Sequence, residues 1–249
     1  MTFNGIVRVH LSIIIPAYNE EKLLPHTLVV VANGRETLET VGVISELIVC
    51  DNNSQDATAR LAAEAGARVI AEPVNQIGRA RNTGASIATG DWLLFLDADS
   101  APSEELWRDL AATLLDPTVI AGGTTLRPHQ NYRMLTFFMH CWNAWSRLSG
   151  EAAGAFIFCR RAAFLEVGGF DVKMFAAEEI VFSRALKKLG KSRGQRMRIL
   201  HQHPLLTSAR KAELYTPGEM LSFIGRTILR RGKTLNSREN CPIWYDGRR

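Results

Sequence analysis

Asp91-Trp-Leu-Leu-Phe-Leu-Asp97-Ala-Asp99 sets a run of large apolar residues between acids and closes on an Asp-x-Asp pair. An uninterrupted apolar run of this length, bounded by polar residues, reads as a strand buried on both faces. Side chains alternate along a strand, so Asp97 and Asp99 are expected on the same side of its carboxyl end. Open α/β sheets bind ligands beyond that end. Two carboxylates placed together repel unless a proton or a cation separates them. A hard divalent ion, Mg²⁺ or Mn²⁺, held by one or two carboxylates and by substrate phosphates, removes the repulsion. The plainer alternative is a strand-to-loop turn with two solvated acids. Asp-x-Asp alone does not choose between them.

Upstream, Leu11-Ser-Ile-Ile-Ile-Pro16 is another buried-strand run, which Pro16 is expected to stop. From Asn19 the pattern turns helical, with Glu20 and Glu21 where acids favour a helix N-terminus. Glu46-Leu-Ile-Val-Cys-Asp51 is a strand ending on an acid, and Ser54 and Asp56 are candidate caps for a helix over 57–65. Arg68-Val-Ile-Ala71 is a short strand, and a helix over 77–88 leads into the Asp91 run. Downstream the pattern predicts a helix over 103–115, a strand over 119–126 and a helix over 132–148. That last helix is rich in aromatics: Tyr132, Phe137, Phe138, Trp142 and Trp145. A strand over 154–159, a turn at Gly168-Gly169, a helix over 178–189 closed by Gly190 and a strand over 195–202 follow. The alternation predicts an α/β fold, a mostly parallel central sheet with helices on both faces. It lines up the strand ends at Pro16, Asp51 and Asp97.

The 249 residues suffice for one large domain or two small ones, and 46% apolar content supports a sizeable core. A formal charge of +5 suits phosphates or an acidic membrane face and is too mild to imply nucleic acid. Cys50, Cys141, Cys159 and Cys241 are scattered, with no Cys-x-x-Cys, so a reduced cytoplasmic protein is expected. No signal peptide and no membrane-spanning run is read.

In order, these pieces resemble family 2 glycosyltransferases of the GT-A fold. The matching residues are Ser12-Ile-Ile-Ile-Pro16-Ala-Tyr18-Asn19-Glu20, Asp51-Asn-Asn-Ser54-Gln-Asp56-Ala-Thr58, and Gly78-Arg79-Ala-Arg81-Asn82-Thr-Gly84. Asp97-Ala-Asp99, Gly168-Gly169-Phe170-Asp171 and Glu178-Glu179 complete the set. The resemblance runs over about 11–211 and is carried by the order and spacing of the motifs. It implies one GT-A domain over 1–215. A nucleotide-sugar half would span about 11–126 and an acceptor half 127–215, with 216–249 a C-terminal amphipathic helix and tail.

The resemblance implies a nucleoside-diphosphate sugar donor, with Pro16, Tyr18 and Glu20 against base and ribose and Asp51 on the nucleobase. Taken singly, Tyr18 also reads as a packing ring and Asp51 as a helix cap. Arg79 and Arg81 suit a diphosphate, but two residues apart on a helix they diverge, so one of them is expected to serve. Asp99, with Asp97, is the expected metal site, a Lewis acid for the leaving diphosphate. The match makes Glu179 the base that takes the acceptor proton, with Glu178 before it, in an inverting reaction. Glu179 stands where aspartate is commoner, and both acids also simply favour a helix N-terminus.

In many enzymes of this fold a late histidine completes the metal shell. His201 and His203 are candidates, and each reads equally as a surface or core residue. A loop after them offers Arg210 and Lys211 to the diphosphate. Absence of a Gln-x-x-Arg-Trp motif argues against a processive synthase. The acceptor is expected to be a small molecule or lipid-linked. In the tail, Met220, Leu221, Ile224 and Ile228 share a helical face among Arg226, Arg230, Arg231 and Lys233. That helix could pack on the domain, which is preferred, meet a second subunit as a homodimer, or rest on the anionic inner face of the membrane. Competing readings are a nucleotidyltransferase and a noncatalytic sugar-nucleotide-binding protein. The first would want a Gly-rich phosphate loop, which Pro16-Ala-Tyr-Asn-Glu20 is not. The second would not need Asp97, Asp99 and Glu179.

Overall fold

Among the described residues, eight strands make one sheet. In chain order they are β1 (Val9–Ala17), β2 (Val43–Asp51), β3 (Arg68–Ala71), β4 (Trp92–Leu96), β5 (Ser100–Ala101), β6 (Val119–Pro128), β7 (Phe156–Arg160) and β8 (Arg196–Thr207). The helices are α1 (Leu24–Thr40), α2 (Thr58–Glu64), α3 (Ile77–Ser86), α4 (Glu104–Leu114), α5 (Arg133–Ser149), α6 (Arg161–Val167) and α7 (Glu178–Ser192). The structure is a computed structural model that describes residues 9–128, 133–152, 154–207, 218–219 and 233–241.

The order across the sheet is β3-β2-β1-β4-β7-β6-β8-β5. β3, β2, β1 and β4 are parallel, as the helical crossovers between them require. β7 runs antiparallel between β4 and β6, and β8 returns parallel to β6. The strand period divides the core. Leu11, Ile13 and Ile15 join Trp92, Leu94 and Leu96 beneath α1 and α4. Ile14, Leu93 and Phe95 face the other way, against α3, α6 and α7. On that second face Phe170 meets Phe182 at 4.2 Å and Phe95 edge-on at 4.9 Å. Each fully buried ring of this kind contributes about 1.5–3 kcal/mol relative to exposure.

Three local expectations need correction. Pro16 does not end β1, which runs to Ala17 in register with Asp51. The ladder to β4 stops earlier, at Ile14 opposite Phe95, so the donor that proline lacks falls beyond it. α1 begins at Leu24, with Pro25 in its first turn, and Glu20 and Glu21 belong to the preceding loop. α7 continues through Gly190 to Ser192. A Cβ at Gly190 would lie 2.8 Å from Ile120, so that glycine permits close packing on β6 instead of closing the helix. α6 and the two-residue β5 were not anticipated, being too short for a periodic signal.

At the end of the sheet remote from the acid turn, Glu46 holds β1, β2 and β3 together. It accepts from Ser12 Oγ, Thr89 N, Thr89 Oγ1 and Arg68 Nη1 at 2.6–2.7 Å. Burial opposes its charge, but these donors outweigh it and hold the carboxyl down at about 2. A depressed acid stabilises the fold above its unfolded value near 4.5 and loses that contribution as pH falls toward 2. Acidification through this window should therefore cost about 3 kcal/mol from Glu46 alone. In urea melts at successive pH values, Glu46→Gln should be less stable than wild type at pH 7 and flatter below pH 4.5. A parallel acid dependence in the variant would refute this.

Candidate active site

The parallel pairing of β1 with β2 and β4 brings three loops together at one edge. The first two are laced to each other. Asn19 N–H donates to Ser54 Oγ at 2.9 Å, and Asn19 Oδ1 accepts from Gln55 N at 2.8 Å. Glu20 N–H donates to Thr58 Oγ1 at 2.8 Å and Glu21 N–H to Asp56 Oδ2 at 3.1 Å. Ser54 thus locks the neighbouring loop instead of capping α2. Asp56 Oδ1 does receive Thr58 N–H at 2.9 Å. Pro16 is buried opposite Cys50, Tyr18 is half-buried and Glu20 is buried. Asp51 is half-buried and its Oδ1 accepts from Ser54 N at 3.3 Å.

The third loop is the acid turn. Asp97 and Asp99 do not project from a strand. β4 stops at Leu96, and Asp97-Ala-Asp99 turns the chain so that Ser100 can pair with Thr207 on β8. Both acids are half-buried. The turn is pinned by Asp97 N–H on Ala155 O at 3.1 Å and by Thr27 Oγ1 on Ala98 O at 2.8 Å.

Behind the acids lies Arg81, whose side chain is only 4% exposed. Its Nη2 is 3.1 Å from Asp97 Oδ1 and its Nη1 is 2.7 Å from Glu178 Oε1. Burial works against the guanidinium charge, but Asp97, Glu178 and Glu179 overcome it and hold the proton more tightly than usual. Three carboxylates lie around one guanidinium, so the cluster keeps an excess of negative charge even with Glu178 protonated. Glu178, 2% exposed, is pushed up to about 8 by burial and by Glu179, against the pull of Arg81. Glu179 is half-buried beside it. Arg81 is therefore committed to carboxylates and is not turned to a diphosphate. Arg79 is half-buried on α3 and donates through Nε to Gln76 Oε1 at 3.0 Å.

Gln76 and Asn82, not singled out from sequence as site residues, position the helix that carries Glu178 and Glu179. Asn82 receives Phe170 N–H and donates to Phe170 O, both at 2.9 Å. Gln76 Nε2 donates to Val172 O at 2.9 Å and Met174 O at 2.7 Å. Asn52 ties the same unit to β2, accepting from Gln76 N at 2.9 Å. Gly78 lies beside this helix, where an added Cβ would make ordinary van der Waals contact with Glu178 at 3.4 Å. The clue in the sequence was the place of Asn82 and Asn52 inside the Gly78–Gly84 and Asp51–Thr58 motifs, while Gln76 lies just before the first of these. Among the described residues, the non-glycines with positive φ are Asn19, Asn53 and Ala177. All three lie in loops around this site, and a left-handed alanine costs about 1–2 kcal/mol. Such strain gathers at functional sites.

Residues from the tail also reach the site. Leu235 O accepts from Phe175 N at 2.7 Å, just before α7. Cys241 is fully buried, and burial and the charge of Glu178 push its thiol up to about 11.

The histidines are not brought to the acids. His203 Nδ1 lies 2.9 Å from Asp109 on α4, and His201 faces its own strand's Ile199 carbonyl at 3.3 Å. Thr207 is the β8 residue beside Ser100, about 13 Å along the strand from His203. Among the described residues no three His, Cys, Asp or Glu converge on a metal position. Among these residues, an ion at the acid turn would have one or two carboxylates to rest on. Arg210 and Lys211 lie outside the described residues, as do Tyr132 and the tail positions Met220, Leu221, Ile224, Arg226, Ile228, Arg230 and Arg231. No described helix is long and apolar enough to cross a membrane.

The profile of glycosyl transferase family 2 matches residues 12–168. A TPR repeat-containing protein of Synechococcus elongatus is 34% identical over 120 residues, 48% of this chain and 28% of that protein. An uncharacterized glycosyltransferase of Mycobacterium bovis is 36% identical over 90 residues, 36% of this chain and 37% of that protein. The matched stretches therefore span little more than a third of these relatives at most. A mannosyltransferase of Pyrobaculum calidifontis, solved in complex with GDP-Man and Mn²⁺, superposes with a TM-score of 0.65. It is 19% identical, and the match covers 92% of this chain and 63% of that one. The GT-A fold is shared.

Proposed function

The chain belongs to glycosyl transferase family 2, and from that premise we propose that it moves a sugar from a nucleoside-diphosphate sugar to an acceptor hydroxyl. The reaction is divalent-metal-dependent, inverting and adds one sugar at a time. The carrying observation is the set of three carboxylates around buried Arg81, at the carboxyl end of β4.

Pro16, Tyr18, Glu20 and Asp51 take the base and ribose in the laced loops after β1 and β2. Asp99 and the Asp97 oxygen not engaged by Arg81 offer hard donors in a region of excess negative charge, which suits Mn²⁺ or Mg²⁺. The P. calidifontis relative carries Mn²⁺, which supports the same ion here. When bound, that ion is a Lewis acid that draws charge off the departing diphosphate.

Glu178 is occupied by Arg81, which leaves half-buried Glu179 as the carboxylate able to turn toward an acceptor. The acceptor oxygen forms its bond to the anomeric carbon as the carbon–phosphate-oxygen bond breaks on the opposite face. Glu179 takes the hydroxyl proton. Gln76, Asn82 and Arg81 keep Glu179 at a set distance from the acid turn, which is the positioning that such a reaction needs. Single addition is supported by the lack of a Gln-x-x-Arg-Trp motif.

A thermal-shift panel of UDP, GDP and dTDP with and without Mn²⁺ tests the donor site. One nucleotide should raise the melting temperature with Mn²⁺ and not without it. At a hundredfold excess over Kd the gain is about 2.7 kcal/mol. Asp99→Ala should abolish that metal-dependent gain. A gain that persists without metal, or in Asp99→Ala, would remove the metal from the proposal.

A further inference from the structure

A cavity of about 630 Å³ opens between α5 and the ends of β6 and β8, lined among others by Leu126, Pro128, Met139, Pro204 and Leu206. That volume is in the range of sites for small ligands. It adjoins the acid turn. Leu206 pairs with Ala101, two residues past Asp99, and Pro128 pairs with Thr207, the partner of Ser100.

The polar groups of the lining are few. Asn143 is already spent, since its Oδ1 accepts from Leu126 N at 2.9 Å and its Nδ2 donates to Leu126 O at 2.8 Å. Among the described lining residues Arg127 and His140 remain, and none is a carboxylate. A polyhydroxylated acceptor would need several convergent donors and acceptors, because unpaired hydroxyls are costly in such surroundings. An apolar chain needs none, and its burial is favourable. Arg127 supplies a cation for an anionic head.

We infer that this cavity is the acceptor site and that it takes an amphiphile, an apolar chain with an anionic head. The assignment rests on reading the acid cluster as the place of transfer. The cavity holds the chain and Arg127 faces the head.

Isothermal titration with n-decyl phosphate below its micelle concentration tests this on the full chain. Saturable one-to-one binding is expected, with inorganic phosphate at least tenfold weaker. Met139→Trp, which fills the cavity, should abolish decyl phosphate binding, and Thr136→Phe serves if that variant does not fold. Arg127→Ala should weaken it several-fold. The Mn²⁺-dependent nucleotide shift should be unchanged in all three variants. Absence of saturable binding, equal binding of inorganic phosphate, or wild-type binding in the filled cavity would each overturn the assignment. Loss of the nucleotide shift in the wild-type protein, with decyl phosphate binding intact and blocked by Met139→Trp, would support the cavity and refute the donor site instead.

Discussion

Glu179→Gln is expected to lower kcat by about 10²–10⁴-fold, the usual contribution of a general base, and to leave the Mn²⁺-dependent nucleotide shift intact. The geometry makes the change selective. Glu178 and Glu179 open α7 side by side, but Glu178 is buried on Arg81 at 2.7 Å and Glu179 is half-exposed. Residues adjacent on a helix point about 100° apart, so only one of them can reach an acceptor. The amide keeps the shape and removes the proton acceptor. Steady-state rates with the identified donor, beside the nucleotide melt, read the two effects separately. Normal turnover in the variant would place the base elsewhere. No turnover in the wild type, with nucleotide binding retained, would favour a noncatalytic binding protein.

Arg81→Ala should destabilise the protein by about 3–5 kcal/mol, the usual result of removing one partner from a buried ion pair. At this chain length that is a fall of roughly 10 °C in melting temperature. The loss is large because Glu178 and Asp97 would both lose the guanidinium that donates to them, Glu178 with almost no solvent to replace it. The double variant Arg81→Met with Glu178→Leu should recover much of the loss, since apolar residues of similar volume can replace a buried pair. A double-mutant cycle therefore distinguishes an ion pair from simple packing. A cost under about 1 kcal/mol for Arg81→Ala would mean that the pair behaves like a solvated surface bridge. The same variant loosens α7 from the acid turn, so any residual turnover should fall with kcat more than with KM.

Much of this molecule was legible along the chain. Leu11–Ile15, Leu47–Cys50 and Trp92–Leu96 are runs that water excludes, and runs of that length between helical stretches make a parallel sheet. The acid motifs after them foretold that the chain ends of β1, β2 and β4 would lie together. The shape of the acid pair was misread. Alternation holds only while a strand continues, and β5 pulls the chain into β8 immediately after Leu96. Arg81 looked like a phosphate ligand because guanidinium chemistry suits phosphate and carboxylate alike. Histidines two residues apart in β8 looked like metal ligands, yet His203 meets Asp109 on α4 and His201 its own strand's Ile199 carbonyl.

Spacing and composition on their own settled the α/β layering, the sheet edge and the residues that carry charge there, since hydrophobic period and turn chemistry act over a few neighbours. Which charges cancel was settled by the folded chain. Arg81 meets Glu178 across 97 residues of sequence, and Asn82 clasps Phe170 across 88. Pairings at that distance depend on how helices pack on the sheet, and no local pattern encodes them.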